Sequence, residues 1–247
     1  KIRRYGISHL PESGVETFFR HGDVFSLMTR FNLREREAET LMSLCSQNQA
    51  ALLACGVTGR GMLTGAMSAQ PAFEPGDTRA LDPLFQRHQY RSGVRLGEKI
   101  AQVGAQYGKT AAQVAIAWVL SHPEITCALT GPSSVAHLEE NLAASGWQLP
   151  EEALAALELH CQREEDVLLE DQRQSLEQIL THPLQDDNLE AYQDLLTAME
   201  VALCLDLISE EAIYPLYLDF HRLRNDIENA GSALKQIHAQ LGDMIQL

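Results

Sequence analysis

The spacing of apolar and polar positions divides the chain into two regimes. Up to about residue 150, short β-like runs alternate with helical ones. Positions 2–8 predict a strand with a Gly break and 12–20 a helix; 23–31 predict a second strand and 35–48 a second helix. Ala50-Ala51-Leu52-Leu53-Ala54-Cys55-Gly56 is a near-continuous apolar run, the pattern of a strand buried on both faces of a parallel sheet. A loop containing Pro, Gly and Asp at 69–82 precedes two helical runs, 84–107 and 110–121. A fourth strand at 125–129 and a helix at 134–144 follow. Four strand-plus-helix repeats predict βα units around a parallel sheet.

From Pro150 the pattern is helical throughout, and Pro150-Glu151-Glu152 suits a helix start. Asp187 and Glu190 have capping-box spacing and open a helix to about Ile208, while Ser209-Glu210-Glu211 begins another that Pro215 bends or restarts. Leu216, Phe220, Leu223, Ile227, Ala230, Leu234, Ile237, Leu241 and Met244 then alternate spacings of four and three, as in an a/d seam of a coiled coil. Burying each large seam residue contributes about 1.5–3 kcal/mol, so the stripe must meet another surface. That surface is either a neighbouring helix of the same chain or a partner: a second copy, or a protein that binds this helix.

Charge sharpens the division. Residues 1–149 carry a net charge of +1 and residues 150–247 one of −16. The acidic part repels nucleic acid and anionic membrane, which excludes both as partners. It suits either a solvated helical face or a basic partner surface. No apolar stretch has the length of a membrane span. Five scattered Cys without CxxC spacing predict reduced thiols and a cytoplasmic setting, and nine dispersed His predict no metal site.

Several segments of the first part together resemble the aldo-keto reductases. Tyr107-Gly108-Lys109-Thr110-Ala111-Ala112-Gln113-Val114-Ala115-Ile116-Ala117-Trp118-Val119-Leu120 is similar to the family's late helices. So are Thr130-Gly131-Pro132-Ser133-Ser134 and His137-Leu138-Glu139-Glu140-Asn141-Leu142. Arg3-Arg4-Tyr5-Gly6-Ile7-Ser8 resembles the fifth strand, Phe31-Asn32-Leu33 the sixth, and Gly59-Arg60-Gly61-Met62-Leu63-Thr64-Gly65 the loop after the seventh; Asp77-Thr78-Arg79 suits the long loop that follows. The resemblance implies an α/β fold comprising half of a TIM-type (β/α)8 barrel, units five to eight, followed by an all-α segment. The expected domains are 1–158 and 159–247. The chain opens straight into a strand at Lys1, so the first four units are expected upstream.

The resemblance also implies NADPH-dependent carbonyl reduction, in which a Tyr made more acidic by a nearby Lys donates a proton, with Asp and His beside it. Those four residues belong to the second, third and fourth units. Tyr5, Tyr90 and Tyr107 stand in other contexts, so the expectation is that this chain alone carries no catalytic residue. The later units hold the cofactor, and the positions carried over are Ser8, Gly59, Arg60, Gly61, Gly131, Ser133, Ser134, Glu140 and Asn141. Three substitutions weaken the nicotinamide end. Met28 stands where a Gln is common, Cys55 where an aromatic ring commonly stacks, and His9 where Asn is usual. A thioether cannot replace an amide's donor and acceptor. His137 replaces a residue that is often Arg or Gln, which puts the 2′-phosphate contact in question. Each position also has a plain structural role: Gly59, Gly61 and Gly65 serve a tight loop, Ser133 and Ser134 cap a helix, and Trp118 is core.

An open four-stranded sheet leaves two unpaired edges. An upstream half-barrel, a second copy, or the acidic helices can cover what is left open. Two functions follow: part of an NADPH-dependent reductase, or a non-catalytic scaffold or regulatory subunit whose heptad helix is an interaction arm.

Overall fold

The structure, a computed structural model, describes residues 2–70, 73, 77–85, 87–184, 187–223 and 226–245. Lys1 and part of the 69–82 loop lie outside the described residues. The chain divides into two compact units, residues 1–165 and 166–247.

The first unit is built on four parallel strands in the order β1-β2-β3-β4: β1 Tyr5–Ser8, β2 Val24–Arg30, β3 Ala51–Cys55 and β4 Ile125–Ala128. Helix α1, Glu12–His21, follows β1, and α2, Glu39–Gln47, follows β2. After β3 come a 3-10 segment Gly59–Thr64, two shorter ones, and helices α3, Arg87–Gln106, and α4, Ala111–Leu120. Helix α5, Val135–Leu142, follows β4. The α/β half-barrel expectation holds at the level of elements.

Sequence accounts for these elements locally. Thr110 and Gln113 form a reciprocal capping box at the start of α4, and every α4 residue from Ala111 to Val119 except Gln113 is buried. Trp118 is fully buried against Phe31, ring centroids 5.0 Å apart, and its indole N–H donates to Glu158 Oε1 at 2.8 Å. Gly97 allows α3 to approach the 59–65 segment, because a Cβ there would lie 2.5 Å from the Met62 carbonyl oxygen.

Strand pairing creates two unlike faces. The row Ile7, Leu27, Leu52 and Ile125 packs into the helix-covered core. The next row, Ser8, Met28, Leu53 and Cys127, lies on the opposite face. Ser8 and Cys127 are exposed there, and Met28 and Leu53 are half-buried. The face that a closed barrel would pack is open to solvent.

The second unit is helical. Helix α6, Glu151–Thr181, contributes residues 151–165 to the first unit and 166–181 to the second. Then come α7, Asn188–Cys204, α8, Glu210–Leu223, a 3-10 turn Ile227–Asn229, and α9, Gly231–Ile245. Asp187 caps α7 by accepting from Leu189 and Glu190 N–H, and Pro215 lies inside α8 rather than restarting it. The expectation of one continuous heptad helix from Leu216 to Met244 is corrected. Asp226 leaves helical geometry at φ −146° and ψ 53°, and Ile227 opens the turn. The break is held by Asn188, whose Nδ2 donates to the Glu228 carbonyl at 2.9 Å. A Cβ at Gly231 would lie 2.8 Å from Asn188 Oδ1, so a side chain there would collide. Leu216, Phe220, Ala230, Leu234, Ile237 and Leu241 are buried within this unit's own core, from α8, the end of the turn and α9 rather than from one helix.

Candidate functional site

Several positions singled out in the sequence lie at or just after the C-terminal ends of strands: Ser8 on β1, the glycine run after β3, and Gly131, Ser133 and Ser134 after β4. Ser8 ends β1 and is exposed, and His9 turns the chain at φ 51°. Gly56, Gly59, Arg60 and Gly61 follow β3 with φ of 64°, 57°, 54° and 95°. Glycine meets no steric penalty in this left-handed region, and Arg60 does. Leu129 N–H donates to the Ala54 carbonyl at 2.7 Å, which carries the 129–134 segment alongside the end of β3.

In that segment Gly131 is open, with no atom within 4 Å of a Cβ placed there. Ser134 caps α5, its Oγ accepting from His137 N–H at 3.2 Å, and Ser133 Oγ lies 3.0 Å from His137 Nδ1. His137 therefore closes on the serines instead of reaching outward. Glu140 and Asn141 are half-buried on α5, and the Glu140 carbonyl accepts from Gln113 Nε2 at 3.1 Å.

Arg60 is already engaged. One Nη lies 3.1 Å from Glu35 Oε1, and Nε lies 2.9 Å from Asp82 Oδ2. Behind it Asn32, fully buried, donates to Glu35 Oε2 and to the Gly56 carbonyl, each at 2.9 Å. Its Oδ1 accepts from the Arg34 and Glu35 N–H groups at 2.8 and 2.9 Å. Glu35 and Asp82 were not among the sequence candidates. The signal for Glu35 is the charge-dense run Arg34-Glu35-Arg36-Glu37 directly after an apolar strand; Asp82 had none.

The fit to a nicotinamide dinucleotide is uneven. Beside Gly131 there is open space with exposed serines, and the glycines after β3 offer backbone for close approach, so the phosphate side suits an anionic group. On the nicotinamide side Met28 shares the open row with Ser8 and lacks the amide. Two of the tyrosines are engaged elsewhere. Tyr90 donates to the Ser68 carbonyl at 2.8 Å, and Tyr107 donates to Glu152 at 3.1 Å. Desolvation and the Glu152 carboxylate push the Tyr107 phenol above its ordinary range, the reverse of activation. Among the described residues no group of three or more His, Cys, Asp or Glu could hold a metal ion, and no helix is long and apolar enough to cross a membrane.

Comparison with known proteins agrees with this geometry. The family model described as "Aldo/keto reductase family" matches residues 1–161. Aldo-keto reductase YhdN of Bacillus subtilis is 33% identical over 156 residues, covering 62% of this chain and 46% of that protein. Aldo-keto reductase yakc (NADP(+)) of Schizosaccharomyces pombe is 27% identical over 172 residues, covering 67% of this chain and 50% of its own length. The glycerol dehydrogenase AKR11B4 from Gluconobacter oxydans superposes with a TM-score of 0.57 at 25% identity, over 66% of this chain and 50% of that one. The chain thus spans about half the length of the curated relatives it matches. A four-stranded parallel sheet with its glycine turns at the strand ends, matched by the family model over residues 1–161, has one assignment: the chain belongs to the aldo/keto reductase family.

Proposed function

We propose that this chain is the cofactor-side half of an NADPH-dependent carbonyl-reducing barrel, whose proton donor comes from the complementary half. The observation that carries this reading is the open row Ser8, Met28, Leu53 and Cys127, on the sheet face opposite the helices. A row of this kind is interior in a closed barrel. Backbone at Gly59 and Gly61 and the segment Gly131, Ser133 and Ser134 would hold the phosphate groups, with Glu140 and Asn141 toward the adenine end. NADPH, when bound, supplies the hydride. Ser8 would orient the carboxamide, alone, since Met28 offers no amide. The name of the S. pombe relative carries NADP(+), which supports the choice of cofactor.

Titration of the chain with NADPH, followed by cofactor fluorescence, tests this. Saturable binding is expected, and NADPH oxidation with an aldehyde is expected only once the other four units are supplied. A flat response at about millimolar cofactor, a free energy of only about −4 kcal/mol, would overturn it. A scaffold function is the second reading, and the engagement of Arg60 by Glu35 and Asp82 favours it. It expects no cofactor binding, and binding of a partner protein through the second unit.

A further inference from the structure

A cavity of about 700 Å³ lies between the β2–α2 loop, α3 and the first-unit part of α6. Leu33, Leu96, Ala155 and Leu159 form its apolar wall. Two of its carboxylates are already matched. Glu158 lies 2.5 Å from Arg36, and Glu164 lies 2.8 Å from Arg95 and accepts from Ser92 Oγ at 3.3 Å. Arg34 is different. One Nη of its five guanidinium donors reaches the Gln89 side chain, and its Nε, like that of Arg36, is buried without a partner. It makes no ion pair within 4 Å among the described residues. Burial pushes its proton affinity below the ordinary range, and exposed Glu165, out of contact, is the largest opposing influence. A desolvated guanidinium without a paired anion is costly, and a carboxylate is the group that pairs with it most strongly. The Cys161 thiol in the same wall is pushed up to about 12 by burial, so it stays neutral and does not repel an anion.

We propose that this cavity binds a small organic carboxylate, its charge on Arg34 and its short apolar body against Leu33, Leu96 and Ala155. The volume is that of a small-molecule site. None of the cofactor-side residues lines it, so the proposal stands apart from the cofactor reading. Hexanoate is the probe, titrated into the full chain by calorimetry beside acetate and hexan-1-ol. Saturable binding of hexanoate is expected, at least about tenfold tighter than acetate, which lacks the body, or hexanol, which lacks the charge. Arg34→Gln should weaken it by at least about tenfold with an unchanged thermal midpoint, and Glu165→Gln should tighten it by removing a like charge. Equal binding of hexanoate and hexanol, hexanoate binding that Arg34→Gln leaves intact, or no saturable binding at about 10 mM would overturn the proposal.

Discussion

At the scale of single residues, Asn32 carries the most. One buried amide joins the end of β2, the Glu35 carboxylate and the Gly56 carbonyl after β3. Asn32→Ala should therefore cost about 2–4 kcal/mol, read as a lower urea midpoint, because it leaves buried partners unpaired. A loss below about 0.5 kcal/mol would mean that the network is solvated. Buried thiols give a second prediction. Burial pushes Cys45 up to about 11 and Cys161 up to about 12, against 9.0 for both unperturbed. The folded state keeps protons that the unfolded chain loses first, so stability is full below about pH 9 and falls above it. The slope approaches about 1.4 kcal/mol per pH unit for each thiol. Urea midpoints between pH 8 and about 11 check this, and Cys45→Ala should flatten the slope. An identical slope in that variant would exclude Cys45 as a source.

At the scale of elements, close approach explains features that propensity alone does not. Ala is a better helix former than Gly by about 1 kcal/mol, yet Gly97→Ala in α3 should destabilise by about 1–3 kcal/mol. Its Cβ would meet the Met62 carbonyl, and that backbone cannot move without displacing the Gly59–Thr64 segment. A stabilised variant would refute the contact. The strands were legible in the sequence because each is an apolar run or alternation between breakers. The α4 start was legible as the helical run that begins at 110, although its capping box was not read there. The break between α8 and α9 was not. Leu216, Phe220, Leu234 and Ile237 keep heptad spacing across it, since both helices turn the same kind of stripe to one core. The broken segment is bound by Asn188, some forty residues away in sequence, a contact that no local pattern registers. Likewise the glycines after β3 were legible as a tight turn. That Arg60 is held by Glu35 and Asp82 depends on two loops meeting, which spacing cannot report.

At the scale of the molecule, the first unit has one satisfied sheet face and one unsatisfied. Val15, Leu27, Leu52 and Trp118 are fully buried on the helix side, whereas Ser8 and Cys127 on the other face are exposed and Met28 and Leu53 are only half-buried. Exposed apolar positions beside two open sheet edges mark a surface built for company. On the reading proposed above, that company is the other four βα units. If the other four βα units close the sheet, they bury the row holding Cys127. Supplied as a separate polypeptide cut from the B. subtilis relative, those units should slow maleimide modification of Cys127 by at least about tenfold, equivalent to about 1.4 kcal/mol of protection. Cys204, exposed in the second unit, serves as the internal reference and should react at its original rate. A second copy of this chain closing the same row predicts protection that appears with rising concentration and needs no added polypeptide. If Cys127 reacts at one rate under all these conditions, the row is a solvent face and barrel closure is not how this chain works.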